Sequence, residues 1–248
     1  CNLLHIDTAH GATRNVIETV KVLKQRFPQI DLIAGNVSNG TTAKILADSG
    51  VDGILIGQGP GSICTTRIIA GIGAPQVSAI YECVNALQGA DIPLCADGGI
   101  NSSGDIVIAL AIGAQSVMLG RLLAGTQEAP SETTYYDGKM VKSYRGMGSL
   151  GSMRESAEAR GRYLQDALTI SKLVPEGIEG IVPYKGSVQM VLEQLVGGMR
   201  AGLAYHGVRT IAELTERAVP FRISSAGLSE SHPHDVVITA QAPNYHGR

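Results

Sequence analysis

Residues 93–120, PLCADGGINSSGDIVIALAIGAQSVMLG, contain one full repeat of the pattern that decides the fold. PLCADGG (93–99) reads as an apolar strand ending on glycines, SGDIVIALAIG (103–113) as a helix, and SVMLG (116–120) as the next strand. The same order recurs upstream. LLHID (3–7) precedes a helical pattern at about 13–27, with Val16, Val20, Leu23 and Phe27 on one face. DLIAGN (31–36) precedes TTAKILADSG, a helix closing at Gly50, and GILIG (53–57) precedes the helical run VSAIYECVNAL (77–87). Strands this continuously apolar are buried on both faces, so five β-loop-α repeats imply a parallel sheet with helices outside it. In such folds the ligand lies at the carboxyl ends of the strands. The loops there, TAHG, NVSNG, QGPGSIC, DGGI and GR, carry the unusual residues.

After residue 121 the rhythm stops. TTYYDGKMVKSY (133–144) reads as a hairpin turning at Asp137-Gly138. A polar stretch at 154–172 has little apolar periodicity and is long for a structureless loop, which makes it a candidate lid. Residues 185–207 resume as a long helix with two adjacent glycines, a shorter helix follows at about 209–217, and ESHPHD (230–235) lies in a His-rich tail. The chain has 248 residues, 44% hydrophobic and 17% charged, with a net charge of −2. That suits a globular chain of one large domain or two small ones, and gives no electrostatic footprint for nucleic acid or an anionic membrane. No run approaches the roughly 20 apolar residues of a membrane span, and the first residues do not read as a signal peptide. The 4 cysteines lack metal-ligand spacing and read as thiols of a reducing, cytoplasmic compartment.

Cys64 stands apart. Cys83 and Cys95 fit helix and strand patterns as small core residues, but GQGPGSICTTR (57–67) surrounds Cys64 with glycines and hydroxyls at a strand end, where a nucleophile belongs. GQGPGS matches neither GxGxxG nor GxxxxGK[ST], so it supports no dinucleotide fingerprint or P-loop. Its carbonyls at Gly59 and Gly61 could as easily coordinate a hard cation, which the pattern alone does not single out. Asp97-Gly98-Gly99 and Gly120-Arg121, after successive strands, suit a phosphate and ribose, although Asp97 also reads as an ordinary turn aspartate. By spacing alone Arg162-Tyr163 and Arg145 read as solvated surface groups.

Taken in order, GPGSICTTR, ADGGI, YRGMGSLGSM, RGRY and ESHPHD give the chain a resemblance, over essentially all its length, to the bacterial type of the inosine-5′-monophosphate dehydrogenase family. The resemblance implies a (β/α)8 TIM barrel, of which this chain carries roughly the last five β/α units (1–124), a hairpin and mobile flap (125–184) and C-terminal helices and tail (185–248), all in one catalytic domain. It implies NAD-dependent oxidation of IMP to XMP, in guanine nucleotide biosynthesis, by a homotetramer. Cys64 would attack C2 of the purine. Ser62, Asp97, Gly98, Gly99, Gly120, Arg121 and the run from Tyr144 through Arg145, Gly146, Met147 and Gly148 to Ser149 would hold the nucleotide, with Glu176 at the purine edge. Asp7, Thr8 and Ala9, with Asn36 and Gly57 nearby, would meet the nicotinamide half of NAD. Carbonyls of Gly59, Gly61 and Cys64 would hold a potassium ion, completed by Glu230, Ser231 and His232 of a neighbouring subunit. Arg162 and Tyr163 would ride on the flap, with Arg162 activating water. Since arginine keeps its proton at ordinary pH, Thr66 or Tyr163 would have to share the proton.

Three departures from the family stand out. Arg121 replaces a frequent serine beside the phosphate, and Leu55 replaces a basic residue. The sequence also begins within an element and supplies five strands where a barrel needs eight. An open half-barrel exposes apolar edges, so the expectation is the C-terminal part of a longer protein, with an open five-stranded sheet as the alternative. The rival activities are reduction of GMP by an NADPH-dependent relative on the same barrel, and a non-catalytic nucleotide-binding relative.

Overall fold

The computed structural model describes residues 1–165 and 172–245. Five parallel strands pair in sequence order: β1 (Leu3–Asp7), β2 (Asp31–Val37), β3 (Gly53–Ile56), β4 (Leu94–Asp97) and β5 (Ser116–Met118). Helices α1 (Arg14–Arg26), α2 (Gly40–Asp48), α4 (Gln76–Ala86) and α5 (Ser103–Ala111) return the chain between strands, and a short α3 (Thr66–Ile69) precedes α4. Three of these four helices begin where the sequence offers a side-chain cap, at Thr13, Asn39 and Ser102, whereas α4 starts after Pro75 without one. Asn39 Oδ1 accepts from the Thr42 amide at 3.0 Å, and Ser102 with Asp105 closes a capping box on α5. Gly50 ends α2 with φ +98°, a backbone region that a side chain disfavours.

β3 is buried along its whole length, and Ile54 and Ile56 pack with Leu32, Val37, Leu94 and Ala96 beneath the helices. Leu55, on the opposite face of β3, is also buried and faces Gly35 of β2, where an added Cβ would lie 2.6 Å from Leu55 Cβ. The apolar residue in place of a basic one is therefore a packing element between two strands. β2 and β3 slip register at Asn36, because Gly35 pairs with Leu55 and Val37 with Ile56. This bulge leaves Asn36 unpaired in the ladder and turns it toward the strand ends.

The second half departs from the sequence reading in two places. The hairpin of β6 (Thr133–Tyr136) and β7 (Lys139–Arg145) turns as expected at Asp137-Gly138, with φ +49° and +72°. A third strand, β8 (Glu179–Pro183), joins β7 antiparallel and makes a three-stranded sheet. The polar stretch begins as two short helices, α7 (Leu150–Glu155) and α8 (Ala157–Arg162), rather than as a structureless loop. Ser149 and Ser156 cap them, so hydrogen bonding and not apolar periodicity specifies this turn of chain. Residues 166–171 of the stretch lie outside the described residues. Among the described residues, no helix is long and apolar enough to cross a membrane.

α6 (Arg121–Ala124) follows β5, and α9 (Val188–Tyr205), α10 (Ile211–Arg217) and α11 (Ser225–Glu230) close the chain. α9 lies against α5 through its glycines. A Cβ on Gly198 would overlap the Ser103 side chain, and one on Gly202 would come within 2.6 Å of Val107. Gly197, one residue earlier, faces open space. The two adjacent glycines therefore respond oppositely to alanine. Gly197→Ala stabilises the protein by about 0.5–1 kcal/mol through helix propensity, whereas Gly198→Ala costs about 1–3 kcal/mol by overpacking. Urea unfolding of both variants checks this, and equal shifts of one sign would contradict it.

Candidate active site

The carboxyl ends of β1 to β4 converge on a cavity of about 280 Å³. A polar web ties these ends together. Thr8 Oγ1 donates to the Gly35 carbonyl at 2.6 Å, and the Asn36 amide nitrogen donates to the Thr8 carbonyl at 2.9 Å. Asn36 Nδ2 spans two strands, donating to the Gly57 carbonyl at 2.9 Å and to Asp97 Oδ2 at 2.7 Å. Gln58 donates to the Ala9 carbonyl at 2.8 Å and accepts from Ser38 Oγ at 2.6 Å. Gln76 Nε2 reaches the carbonyls of Ile56 and Asp97. Gly57, at φ +143°, sits where a Cβ would strike the Asp97 carbonyl oxygen, which explains why this position is glycine.

The cysteine loop leaves from here. Arg67 clasps it, donating from Nε to the Gln58 carbonyl at 3.1 Å and from Nη2 to the Ala74 carbonyl. Cys64 is half-buried, its amide donates to the Gly61 carbonyl at 3.1 Å, and its thiol donates to Thr66 Oγ1 at 3.2 Å. Residues 176–178 then seam the loop to the 146–148 turn. Thr65 N donates to Glu176 O and Ile178 N to Ile63 O on one side. Glu176 N donates to Gly148 O and Gly146 N to Ile178 O on the other.

The segment ending α8 covers the β1 side of the cavity. Arg162 forms an ion pair with Asp7, and its carbonyl accepts from the Ala9 amide at 3.1 Å. Tyr163 packs on Gly148, where a Cβ would lie 2.6 Å from the ring. Burial lowers the Arg162 guanidinium from its ordinary value, with Tyr163 opposing. Its intrinsic basicity and the contact with Asp7 still keep it a cation near neutral pH. Burial raises the Tyr163 hydroxyl, with Arg162 opposing. Burial also raises the Asp97 carboxyl, against the hydrogen bond from Asn36.

Most of the residues expected at the site meet here. Thr8, Ala9, Asn36 and Gly57 form one edge of the cavity, Gly59, Gly61, Cys64 and Thr66 its floor, and Asp97 and Gly98 the next edge. Tyr144, Arg145, Gly146, Met147, Gly148 and Glu176 face them, with Arg162 and Tyr163 above. Others lie just outside. Asp7 is reached through Arg162, and Ser62 hydrogen-bonds Tyr144, whose hydroxyl is raised first by burial. Arg145 extends to Glu155 in an exposed pair at 2.5 Å. Gly99 packs beside Pro60 and Gln76. Gly120 opens onto an adjoining cavity of about 860 Å³ that shares Tyr144 and Arg145. Arg121 turns to Asn101 Oδ1 at 3.0 Å, joining the DGGIN loop to α6. Glu230, Ser231 and His232 lie at the end of α11, where Ser231 Oγ bonds Gly227 O and His232 bonds the Tyr245 hydroxyl, and none of them lines the cavity.

Sequence reasoning missed Gln58 and Gly177, which line the cavity, and Arg67 and Gln76, which brace its loops from outside; no periodic signal marks any of them. It also missed His5, whose ring is lowered first by burial and then by Arg162, with Asp97 opposing. Cys83 behaves as expected of a core thiol, pushed up to about 12 by burial.

A family model described as the IMP dehydrogenase / GMP reductase domain matches residues 1–234. The chain belongs to this family. Its domain is a TIM barrel, and the five-stranded parallel sheet is part of one. The chain is 56% identical over 244 residues to an inosine-5′-monophosphate dehydrogenase of Aquifex aeolicus, covering 98% of this chain and 49% of that protein. It is 51% identical over 253 residues to the one of Mycobacterium tuberculosis, covering 100% and 48%. Among solved structures, a cysteine-to-alanine variant of GMP reductase from Trypanosoma brucei, in complex with guanosine 5′-monophosphate, superposes with a TM-score of 0.87 at 43% identity. That match covers 96% of this chain and 48% of the other. The chain thus spans about half the length of the curated relatives it matches.

Asp97 gives this site a testable stability signature. Its carboxyl is raised in the folded protein, so the charged form opposes folding above the folded pKa, and the penalty fades as pH falls toward the unfolded value near about 3.9. Asp97→Asn keeps an acceptor for Asn36 and removes the charge. The variant should be more stable than wild type at pH 7.5, with the gain shrinking in acid. Urea melts across that range test it, and a variant less stable at pH 7.5 would contradict the reading.

Proposed function

We propose that this chain carries the cysteine-bearing part of an NAD-dependent IMP dehydrogenase. The observation that carries the reading is that Cys64 and the Arg162-Tyr163 pair, far apart in sequence, line one cavity together with Asp97. In this reading Asp97 holds ribose hydroxyls, the glycines at 98, 99 and 120 give the phosphate close backbone approach, and Glu176 meets the purine edge. Ser62, Arg121 and the run Tyr144–Ser149 complete the nucleotide's cradle. Arg121, in place of serine, adds a cation that suits a phosphate.

Cys64 attacks C2 of the hypoxanthine ring as a thiolate. The Thr66 hydroxyl, now an acceptor for the thiol, turns to donate to the sulfur once the proton has left. When bound, NAD supplies the acceptor for the hydride that departs from C2. Thr8, Ala9, Asn36 and Gly57 would hold its nicotinamide half, with Asp7 behind them. These residues fit such a group: Asn36 Oδ1 has no partner among the described residues, and the Ala9 amide is bonded to the α8 segment rather than to the sheet. Hydride loss leaves a thioimidate on Cys64, which water hydrolyses to XMP and free thiol.

The contact of Arg162 with Asp7 supports an alternation in which α8 and its tyrosine occupy the nicotinamide edge during hydrolysis. As a cation, Arg162 orients the attacking water and stabilises the hydroxide forming from it, while the Tyr163 and Thr66 hydroxyls, each accepting one proton as it gives up its own, relay the water's proton to solvent. Potassium would be held by the carbonyls of Gly59, Gly61 and Cys64, with Glu230, Ser231 and His232 from a neighbouring subunit of a tetramer. The loop fits a hard cation, since Gly61 O spends one lone pair on Cys64 N–H and Gly59 turns at φ +80°. The assembly belongs to the cytoplasm, and residues 1–124, 125–184 and 185–248 act within one catalytic domain.

GMP reduction is the second reading, favoured by the structural likeness to a GMP-bound reductase. A reductase needs no water-activating pair, and Arg162 with Tyr163 in the cavity favours the dehydrogenase. Rapid mixing of the intact protein with IMP, NAD⁺ and potassium separates the steps. Cys64→Ala should lose NADH formation and retain IMP binding. Arg162→Ala should give one equivalent of NADH and then turn over about 10²–10⁴-fold more slowly. An Arg162→Ala enzyme without that burst, or Cys64→Ala with undiminished turnover, would contradict the mechanism.

A further inference from the structure

We infer that Lys142 is a positioning residue that aims the Gly120-Arg121 turn at the nucleotide's phosphate from the far end of α6. The inference rests on the nucleotide reading above. Lys142 lies on β7 and is 2% exposed. Its ammonium donates to the carbonyls of Thr126 at 3.0 Å, Gln127 at 3.3 Å and Ala129 at 2.6 Å. Three N–H groups meet three acceptors, which fully satisfies the buried cation. Those carbonyls belong to the segment immediately after α6, and a cation there also complements the helix's C-terminal carbonyls.

Tyr144 follows two residues later on the same face of β7, about 7 Å along the strand. Its hydroxyl stands against Gly120, where an added Cβ would lie 3.2 Å away. β7 therefore meets α6 at both ends: the Tyr144 hydroxyl packs beside Gly120 before its first residue, and Lys142 bonds the segment beyond its last turn. The helix has only four residues, so it is about 6 Å long, and a slip at one end is felt at the other. Fastenings of other kinds remain at the Lys142 end: Gln127 N donates to Gly186 O at 2.8 Å, and Lys185 Nζ donates to Leu122 O at 3.3 Å. Loss of Lys142 should therefore shift the turn without unravelling it. The strand's charged residue thus serves the phosphate although it never touches it.

The test uses the intact protein and needs no turnover. Alkylation of Cys64 by iodoacetamide is followed by peptide mass analysis, with increasing IMP or with inosine, the same nucleoside without its phosphate. In wild type, IMP should protect Cys64 at far lower concentration than inosine. In Lys142→Met the half-protecting concentration of IMP should rise about tenfold or more, while that of inosine and the alkylation rate without nucleotide stay put. An unchanged IMP-to-inosine ratio would overturn the inference. So would equal losses for both compounds with an altered alkylation rate, which would mark a general structural role. Should Lys142→Met fail to fold, Lys142→Arg keeps the charge but offers a planar fork to three converging carbonyls, and the same ratio decides. A wild-type Cys64 that IMP does not protect would refute the nucleotide reading itself, and this inference with it.

Discussion

Residues 176–178 are the rung on which both walls of the site hang. Four backbone hydrogen bonds, two to the cysteine loop and two to the 146–148 turn, set the distance between Cys64 and the segment that begins at Tyr144. The approach leaves little room for a side chain. A Cβ on Gly177 would lie 3.2 Å from the backbone of Gly148 and Ser149, and one on Gly146 would lie 3.3 Å from Ile63 O. Backbone bonding of this kind fixes geometry independently of side-chain rotamers, which would suit the nucleophilic role proposed for Cys64. The parallel sheet supplies the platform, but this seam sets where Cys64 points.

Around the seam, the strand ends are held by polar side chains rather than by apolar packing. Asn36, Gln58 and Gln76 each cross from one strand end to another, and Asn36 and Gln58 are nearly fully buried. Buried amides that satisfy backbone carbonyls make a rigid rim, because breaking any one bond strands a polar group away from water. The rim is stiff, whereas the α8 segment beside it is held more lightly on the β1 side. That segment meets the β1 side through one ion pair and one backbone bond, Arg162 with Asp7 and Ala9 with Arg162. Few contacts of this kind are easily broken and remade. The proposed mechanism, in which one group leaves this edge and another enters it, would use that imbalance.

The alternating β/α half was legible because apolar runs and caps agree. The strands at 3–7, 31–37, 53–56 and 94–97 and the helices between them follow from apolar patterning, and Asn39, Gly50 and Ser102 mark helix ends. β8 was not legible, since EGIVP is short, mostly exposed and ends in proline. α7 and α8 escaped for a related reason, as serine caps leave no periodic trace. At the site, Cys64 announced itself by its company of glycines and hydroxyls, whereas Arg162-Tyr163 read as surface until its motif was set among the others. Gln58 and Lys142 are polar residues whose burial depends on distant carbonyls, which no local pattern in the sequence encodes.

The most direct measurement is the identity of the covalent species. The intact protein is mixed with IMP, NAD⁺ and potassium, quenched within one turnover, digested, and its cysteine peptides weighed. A purine nucleotide adduct on the Cys64 peptide, dependent on both IMP and NAD⁺ and gone once hydrolysis completes, is the predicted result. Turnover of IMP with no adduct on Cys64 at any time, or an adduct on Cys1, Cys83 or Cys95 instead, would contradict the account.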